Sequence, residues 1–173
     1  MDEPSFYVFS YGSNLLLERI QERIKSVKII NKYCLKGYRL VFNKAGVDES
    51  AKANIEETGN DDDFVWGVIH EIDYDEKPIL DKHETLGQGY ELICFRLNLN
   101  GAYKTIHTYI VNDDHYIIKG KPFNWYLDYV IKGAKQNQFP EDYIAELMKV
   151  ESENDGNTSR RLKNEKILNR TNG

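Results

Sequence analysis

The stretch SFYVFSYGSNLLLERI, residues 5–20, decides how the fold is read. Residues 6–9 are an aromatic and β-branched run of strand composition, and the run stops at Tyr11-Gly12-Ser13-Asn14, a tight polar turn. A helix is predicted next. Leu16, Leu17, Ile20 and Ile24 recur at helical spacing, Glu18, Arg19, Glu22 and Arg23 take the other face, and Ser13 or Asn14 can cap the start. The order is therefore strand, turn, helix N-terminus.

Working outward, residues 27–35 and 38–42, separated by Lys36-Gly37, read as two extended segments, and residues 64–72, centred on Val65-Trp66-Gly67-Val68, as a third. After Pro78, residues 79–86 read as a short helix closed by Gly87. Residues 90–99 and 103–111 then alternate as a strand pair around Asn100-Gly101, the composition of a hairpin turn. Pro122 opens a helix carrying Trp125, Leu127, Tyr129 and Val130, and residues 140–150 form another. The fold class expected is α+β, with β structure in the middle and helices at the end. Residues 1–152 are expected to form one domain. Residues 153–173 turn to Asn, Gly, Ser, Arg and Lys, with Leu162, Ile167 and Leu168 as the available anchors, and are expected to be a loosely docked polar tail.

Composition excludes several function classes. A formal charge of -5 argues against a nucleic-acid surface, which needs a dense basic patch. The acidic stretch 48–63 lacks calcium-loop spacing and reads as solvated loop. Cys34 and Cys94 sit in separate strand-like runs and are expected to be reduced core thiols. The four His show no metal-ligand spacing, so neither metal nor cofactor is expected, and His83 is assigned no role. Met1-Asp2-Glu3-Pro4 lacks the basic start of an export signal, and no run approaches the ~20 apolar residues of a membrane span. A cytoplasmic protein with no membrane partner is expected, as monomer or homodimer.

Two features bear on chemistry. The turn at residues 11–14 ends a strand and begins a helix, so its free N–H groups form a cradle for a carboxylate or a developing oxyanion, and Gly12 lets a ligand approach the backbone closely. Its alternative role is purely structural, a permissive glycine and a capping serine. Glu84 falls one helical turn after Leu80, so an inward Leu80 turns Glu84 inward too. Burial disfavours a charged carboxylate and the negative helix end acts in the same direction, which suits a proton shuttle. The structural alternative is a solvated Glu near a helix end.

With these residues in place, the chain resembles the gamma-glutamylcyclotransferase family over residues 5–150. The resemblance is carried by Phe9-Ser10-Tyr11-Gly12-Ser13-Asn14, by the stretch 35–43 with Gly37 and Phe42, and by Ala53-Asn54-Ile55 and Val65-Trp66-Gly67-Val68. It continues through Leu80-Asp81-Lys82-His83-Glu84 with Gly89-Tyr90-Glu91, and through residues 126–135 into Phe139-Pro140 and Tyr143. It implies a small mixed β-barrel flanked by helices, with Glu84 as catalytic acid/base. Tyr11, Gly12, Ser13, Asn14, Tyr90 and Tyr126 are implied to line the substrate pocket. The activity implied is release of an amine or amino acid from a gamma-glutamyl compound as the glutamyl part closes to 5-oxoproline. The leaving group stays open between an amino acid, an amine and a biosynthetic intermediate. From another class, a catalytically silent binding or regulatory module on the same barrel remains as the alternative.

Overall fold

The computed structural model describes residues 4–170. Met1 to Glu3, read above for want of an export signal, and the last three residues of the expected tail lie outside the described residues. Strand β1 (Ser5–Ser10) runs into a 3-10 turn at Ser13–Leu15 and a one-turn helix α1 (Leu17–Gln21). Strands β2 (Lys28–Lys36), β3 (Tyr38–Ala45), β4 (Ala51–Glu57) and β5 (Phe64–Asp73) follow. Helix α2 (Lys77–His83), the hairpin β6 (Glu91–Leu99) and β7 (Ala102–Ile110), and helices α3 (Asn124–Gln136), α4 (Glu141–Met148) and α5 (Thr158–Asn169) complete the chain.

Five strands form one sheet in the order β2-β5-β1-β7-β6, and β3 with β4 forms a second, two-stranded one. In the large sheet β1 lies at the centre, antiparallel to β5, with Phe9 opposite Ile69, and parallel to β7, with Tyr7 opposite Ile106. Its two outermost strands nevertheless touch. Tyr33 of β2 and Phe95 of β6 stack with ring centroids 5.8 Å apart, and Phe9 of β1 meets both edge-on at 6.2 and 6.1 Å. The sheet is thus curled into a half-barrel with an aromatic filling, the shape that right-handed strand twist favours. The second sheet is tied to it by side chains: Tyr90 donates to the Ala53 carbonyl, and Val111 N–H donates to Asn54 Oδ1 at 2.9 Å.

Helix α3 presses on the turn that follows β1. A Cβ on Gly133 would stand 2.5 Å from the Leu15 backbone, so only glycine permits this approach, which seals Leu15 and Leu16 in the core. Burying each such leucine stabilises the fold by about 1.5–3 kcal/mol. The hairpin turns at Asn100 and Gly101, both with positive φ (54° and 90°), the pattern of a two-residue type I′ turn.

Four expectations are corrected. The helix predicted through Ile24 ends at Gln21, with no side-chain cap at its start, although Ile24 is fully buried in the loop beyond it. The helix expected over 79–86 is α2, ending at His83; Thr85, at φ 52°, turns the chain before Gly87 is reached. The stretch 48–63 contains β4, whose Ala51, Ala53 and Ile55 alternate inward; small side chains among acids hid the period of two. Cys94 is exposed, because it stands on the face of β6 opposite Phe95, and Cys34 is only partly covered; both thiols are free.

The tail expected to be loosely docked is also different. Residues 158–169 are helix α5, and Ile167 and Leu168 join the main core, whereas Leu162 is exposed. Its anchors are polar. Buried Asp155 accepts from Trp125 Nε1 at 2.9 Å and from Arg160 Nε and Nη2 at 2.7 and 2.6 Å, and Tyr129 Oη meets Asn164 Oδ1 at 2.9 Å. A count of apolar residues misses anchoring of this kind.

Candidate active site

The turn after β1, the end of α2 and the start of α3 meet at one cavity. Tyr11, Gly12, Ser13, Asn14, Glu84, Tyr90 and Tyr126, the seven residues singled out in the sequence, all line it, together with Ala53 and Tyr109. Three segments far apart in sequence supply these walls because β1 occupies the centre of the sheet and α3 packs against its exit.

Glu84 caps the C-terminus of α2, where its N–H still donates to the Leu80 carbonyl at 2.9 Å; Leu80 is fully buried. The Glu84 side chain keeps 16% exposure and is held at one oxygen. Oε1 accepts from Asn14 Nδ2 at 2.7 Å and from Arg23 Nη1 at 3.1 Å, and the same Nη1 donates to Asn14 Oδ1 at 3.1 Å. Among the described residues Oε2 has no hydrogen-bond donor, so it is open to a proton or to a ligand. Asn14 therefore serves Glu84 and does not cap the helix: a bond to a carboxylate is stronger than one to a neutral N–H group.

Four tyrosines wall the cavity, and burial holds each hydroxyl protonated. For Tyr11 and Tyr90 burial dominates and raises the pKa well above 10, with nearby Glu84 acting the same way; Tyr126 is raised to about 12, again by burial first. Their protons are not equally free. Tyr11 donates to the Tyr109 carbonyl, Tyr90 to the Ala53 carbonyl and Tyr109 to Asp81 at 2.6 Å. Tyr126 Oη instead accepts from Ala53 N–H at 3.0 Å, which leaves its own proton to point elsewhere. The N–H groups of Gly12, Ser13 and Asn14 precede the first bonds of the 3-10 turn, Leu15 to Gly12 and Leu16 to Ser13. The cavity thus has a carboxylate on one side and neutral donors on the other.

Sequence reasoning missed Arg23. Periodicity assigned Arg19 and Arg23 to a solvent face, but α1 stops at Gln21 and the chain turns, so Arg23 is only 12% exposed and faces Glu84. Arg19 stacks on the Tyr129 ring at 5.2 Å. Asp48, read as solvated, is tucked against Lys52 at 2.7 Å, with Ser50 Oγ donating at 2.8 Å. His83 lines the outer part of the cleft, where burial, then Arg23 and Arg19, lower its pKa. Among the described residues there is no group of three or more His, Cys, Asp or Glu placed to hold a metal ion, and no helix long and apolar enough to cross a membrane.

Residues 64–147 match the family model described as AIG2-like. A Bos taurus protein named gamma-glutamylcyclotransferase is 30% identical over 157 residues, covering 87% of this chain and 81% of the bovine one. The chain belongs to the gamma-glutamylcyclotransferase family. The Homo sapiens gamma-glutamylcyclotransferase is similar at 29% identity with the same coverage. A solved structure titled gamma-glutamyl cyclotransferase superposes with a TM-score of 0.75 at 27% identity, over 87% of this chain and 90% of that one. In this member of the family, the half-barrel and its helices place the turn at residues 11–14 opposite Glu84.

Proposed function

We propose that the protein releases an amine from a gamma-glutamyl compound by closing the glutamyl part into 5-oxoproline, with Glu84 carrying the proton. The observation that supports this reading is the one-sided hold on Glu84 at the cavity wall: Asn14 and Arg23 fix Oε1 while Oε2 has no hydrogen-bond partner among the described residues. The substrate brings its own nucleophile. Its α-ammonium gives a proton to Oε2, and the free α-amine attacks the γ-carbonyl carbon to form the ring N–C bond. The tetrahedral oxyanion that results faces neutral donors, with the turn N–H groups and the Tyr126 hydroxyl as the candidates.

Collapse then breaks the bond to the leaving nitrogen, which takes the first proton back from Glu84. The ring nitrogen, cationic after its attack, gives its surplus proton to the freed Glu84 carboxylate, which passes it to the departing amine. Atoms balance without water, metal or redox partner. Intramolecular attack brings a proximity advantage of ~7–11 kcal/mol in well-oriented cases, so one carboxylate and a few donors form a sufficient catalytic set. The reduced state expected of Cys34 and Cys94 supports a cytosolic setting for the reaction.

The test is incubation with a panel of gamma-glutamyl dipeptides and amines, with 5-oxoproline as the readout. Activity toward at least one is expected, and Glu84→Gln should lower turnover by ~100-fold or more while leaving the melting curve near wild type. No 5-oxoproline from any substrate, or wild-type turnover in Glu84→Gln, would remove the assignment.

A further inference from the structure

The cavity opens past Glu84 into a second lobe. The two share Ser13, Glu84, Tyr90 and Tyr126, and the outer lobe is roomier, about 190 Å³ against about 40 Å³. Under the proposed function the invariant glutamyl part belongs in the tight inner lobe, and the leaving group, which takes its proton from Glu84, extends into the outer one.

The outer lobe is cationic in an acidic protein. Four basic side chains line it, Arg19, Arg23, Lys44 and Lys52, against two carboxylates, Asp48 and Glu84. Both carboxylates are already engaged: Arg23 pairs with Glu84 at 3.1 Å and Lys52 with Asp48 at 2.7 Å. Arg19 and Lys44 form no ion pair among the described residues. Neither is a solvated surface charge. Lys44 is 4% exposed, lying 4.9 Å over the Tyr90 ring with Thr85 Oγ1 at 3.1 Å as its hydrogen-bond partner. Arg19 Nε is buried without a partner among the described residues; burial, then the Arg23 charge, lower its pKa to about 10, so it stays cationic at neutral pH. Two desolvated cations with no ion pair of their own among the described residues, offset only by the field of carboxylates already paired with Arg23 and Lys52, destabilise the empty protein. A ligand that supplies further anions recovers that cost.

We infer that the outer lobe selects gamma-glutamyl compounds whose leaving amine carries two carboxylates, that is, an acidic amino acid, with Arg19 and Lys44 as the receiving cations. One carboxylate is the α-carboxylate that any amino acid brings. The second distinguishes glutamate or aspartate from their amides, which match them in shape but lack the charge. This inference rests on the proposed function for the chemistry of the inner lobe, and the experiment below separates the two.

Gamma-glutamyl-glutamate and gamma-glutamyl-glutamine are compared by kcat/KM on the wild-type protein and on Lys44→Met, and by calorimetric binding to Glu84→Gln, whose turnover, lower by ~100-fold or more, is slow against the titration. The expected result is a preference of at least ~10-fold for the acid in both assays, since a site built to pair a polar group rejects the analogue lacking it. In Lys44→Met the preference should fall to within about 2-fold. Equal kcat/KM and equal affinity for acid and amide in the wild-type and Glu84→Gln proteins overturn the inference and leave the cyclisation standing. Selective binding of the acid without 5-oxoproline formation by the wild type removes the proposed function and keeps the lobe's specificity. Absence of both binding and turnover removes both.

Discussion

At the scale of single residues, Gly12 is decided by space. Its φ of -108° is open to any residue, but a Cβ there would stand 3.0 Å from Ala53 Cβ and 3.3 Å from Tyr126 Oη. A valine would push both apart at the donor side of the cavity. Gly12→Val is expected to lose ~100-fold or more in turnover, the cost of misplacing one oxyanion donor, with a fall of only a few degrees in melting temperature. An active Gly12→Val enzyme would take the turn out of the mechanism. His70 gives a pH test. It is fully buried, Nδ1 meets Ser10 Oγ at 3.0 Å, Nε2 has no partner among the described residues, and burial lowers its pKa to about 4. The unfolded chain binds this proton near pH 6.5, so stability is complete above that value and is lost as the pH falls toward 4, by roughly 3 kcal/mol. Urea melts between pH 7.5 and 4.5 should show a steeper loss in wild type than in His70→Gln; parallel losses would assign the acid sensitivity to other groups. At this scale the inward position of Glu84 was legible in the sequence because one helical turn ties it to Leu80, whereas the acid/base role proposed for it came with the family resemblance. The position of Arg23 was not legible, because its role depends on a helix stopping two residues earlier.

Among the elements, the hairpin β6–β7 was legible because Asn100-Gly101 fixes its own turn locally, and β5 because bulky residues carry its pattern. Strand β4 and helix α5 were not, since what holds them is tertiary. Ala53 on β4 becomes core under Tyr126 and Tyr90, and α5 docks through Asp155 and Asn164. The docking makes α5 integral. Deleting residues 153–173 removes buried Ile167 and Leu168, about 1.5–3 kcal/mol each. It also strips Trp125 Nε1 and Tyr129 Oη of their partners, at about 1–3 kcal/mol apiece. At about 2–4 °C per kcal/mol for a chain of this length, the melting temperature should fall by ~10 °C or more. A truncated protein that melts with the full chain would show α5 to be dispensable. Because α3 carries Tyr126 and also supports α5, turnover should fall together with stability.

For the whole molecule, the feature with the widest reach is the parallel pairing of β1 with β7. Tyr7 finds its partner at Ile106, 99 residues later, and pairs on its other side with β5. Local contacts therefore cannot complete the sheet, and folding in milliseconds to seconds is expected, as for domains dominated by non-local pairing. A fragment of residues 1–101 should lack fixed structure by circular dichroism and hydrogen exchange, whereas a cooperatively folded fragment would show that β7 is not needed to hold β1. The same topology sets a schedule on the ribosome. At ~5–20 residues per second, β1 leaves the exit tunnel roughly 5–20 seconds before its last partner does, and through that interval Phe6, Val8 and Phe9 are an uncovered apolar edge. Through the synthesis of the second half that edge is open to off-pathway pairing with other chains. The nascent chain gains its candidate active-site cavity only near the end of translation, when Tyr126 emerges and α3 closes over the turn.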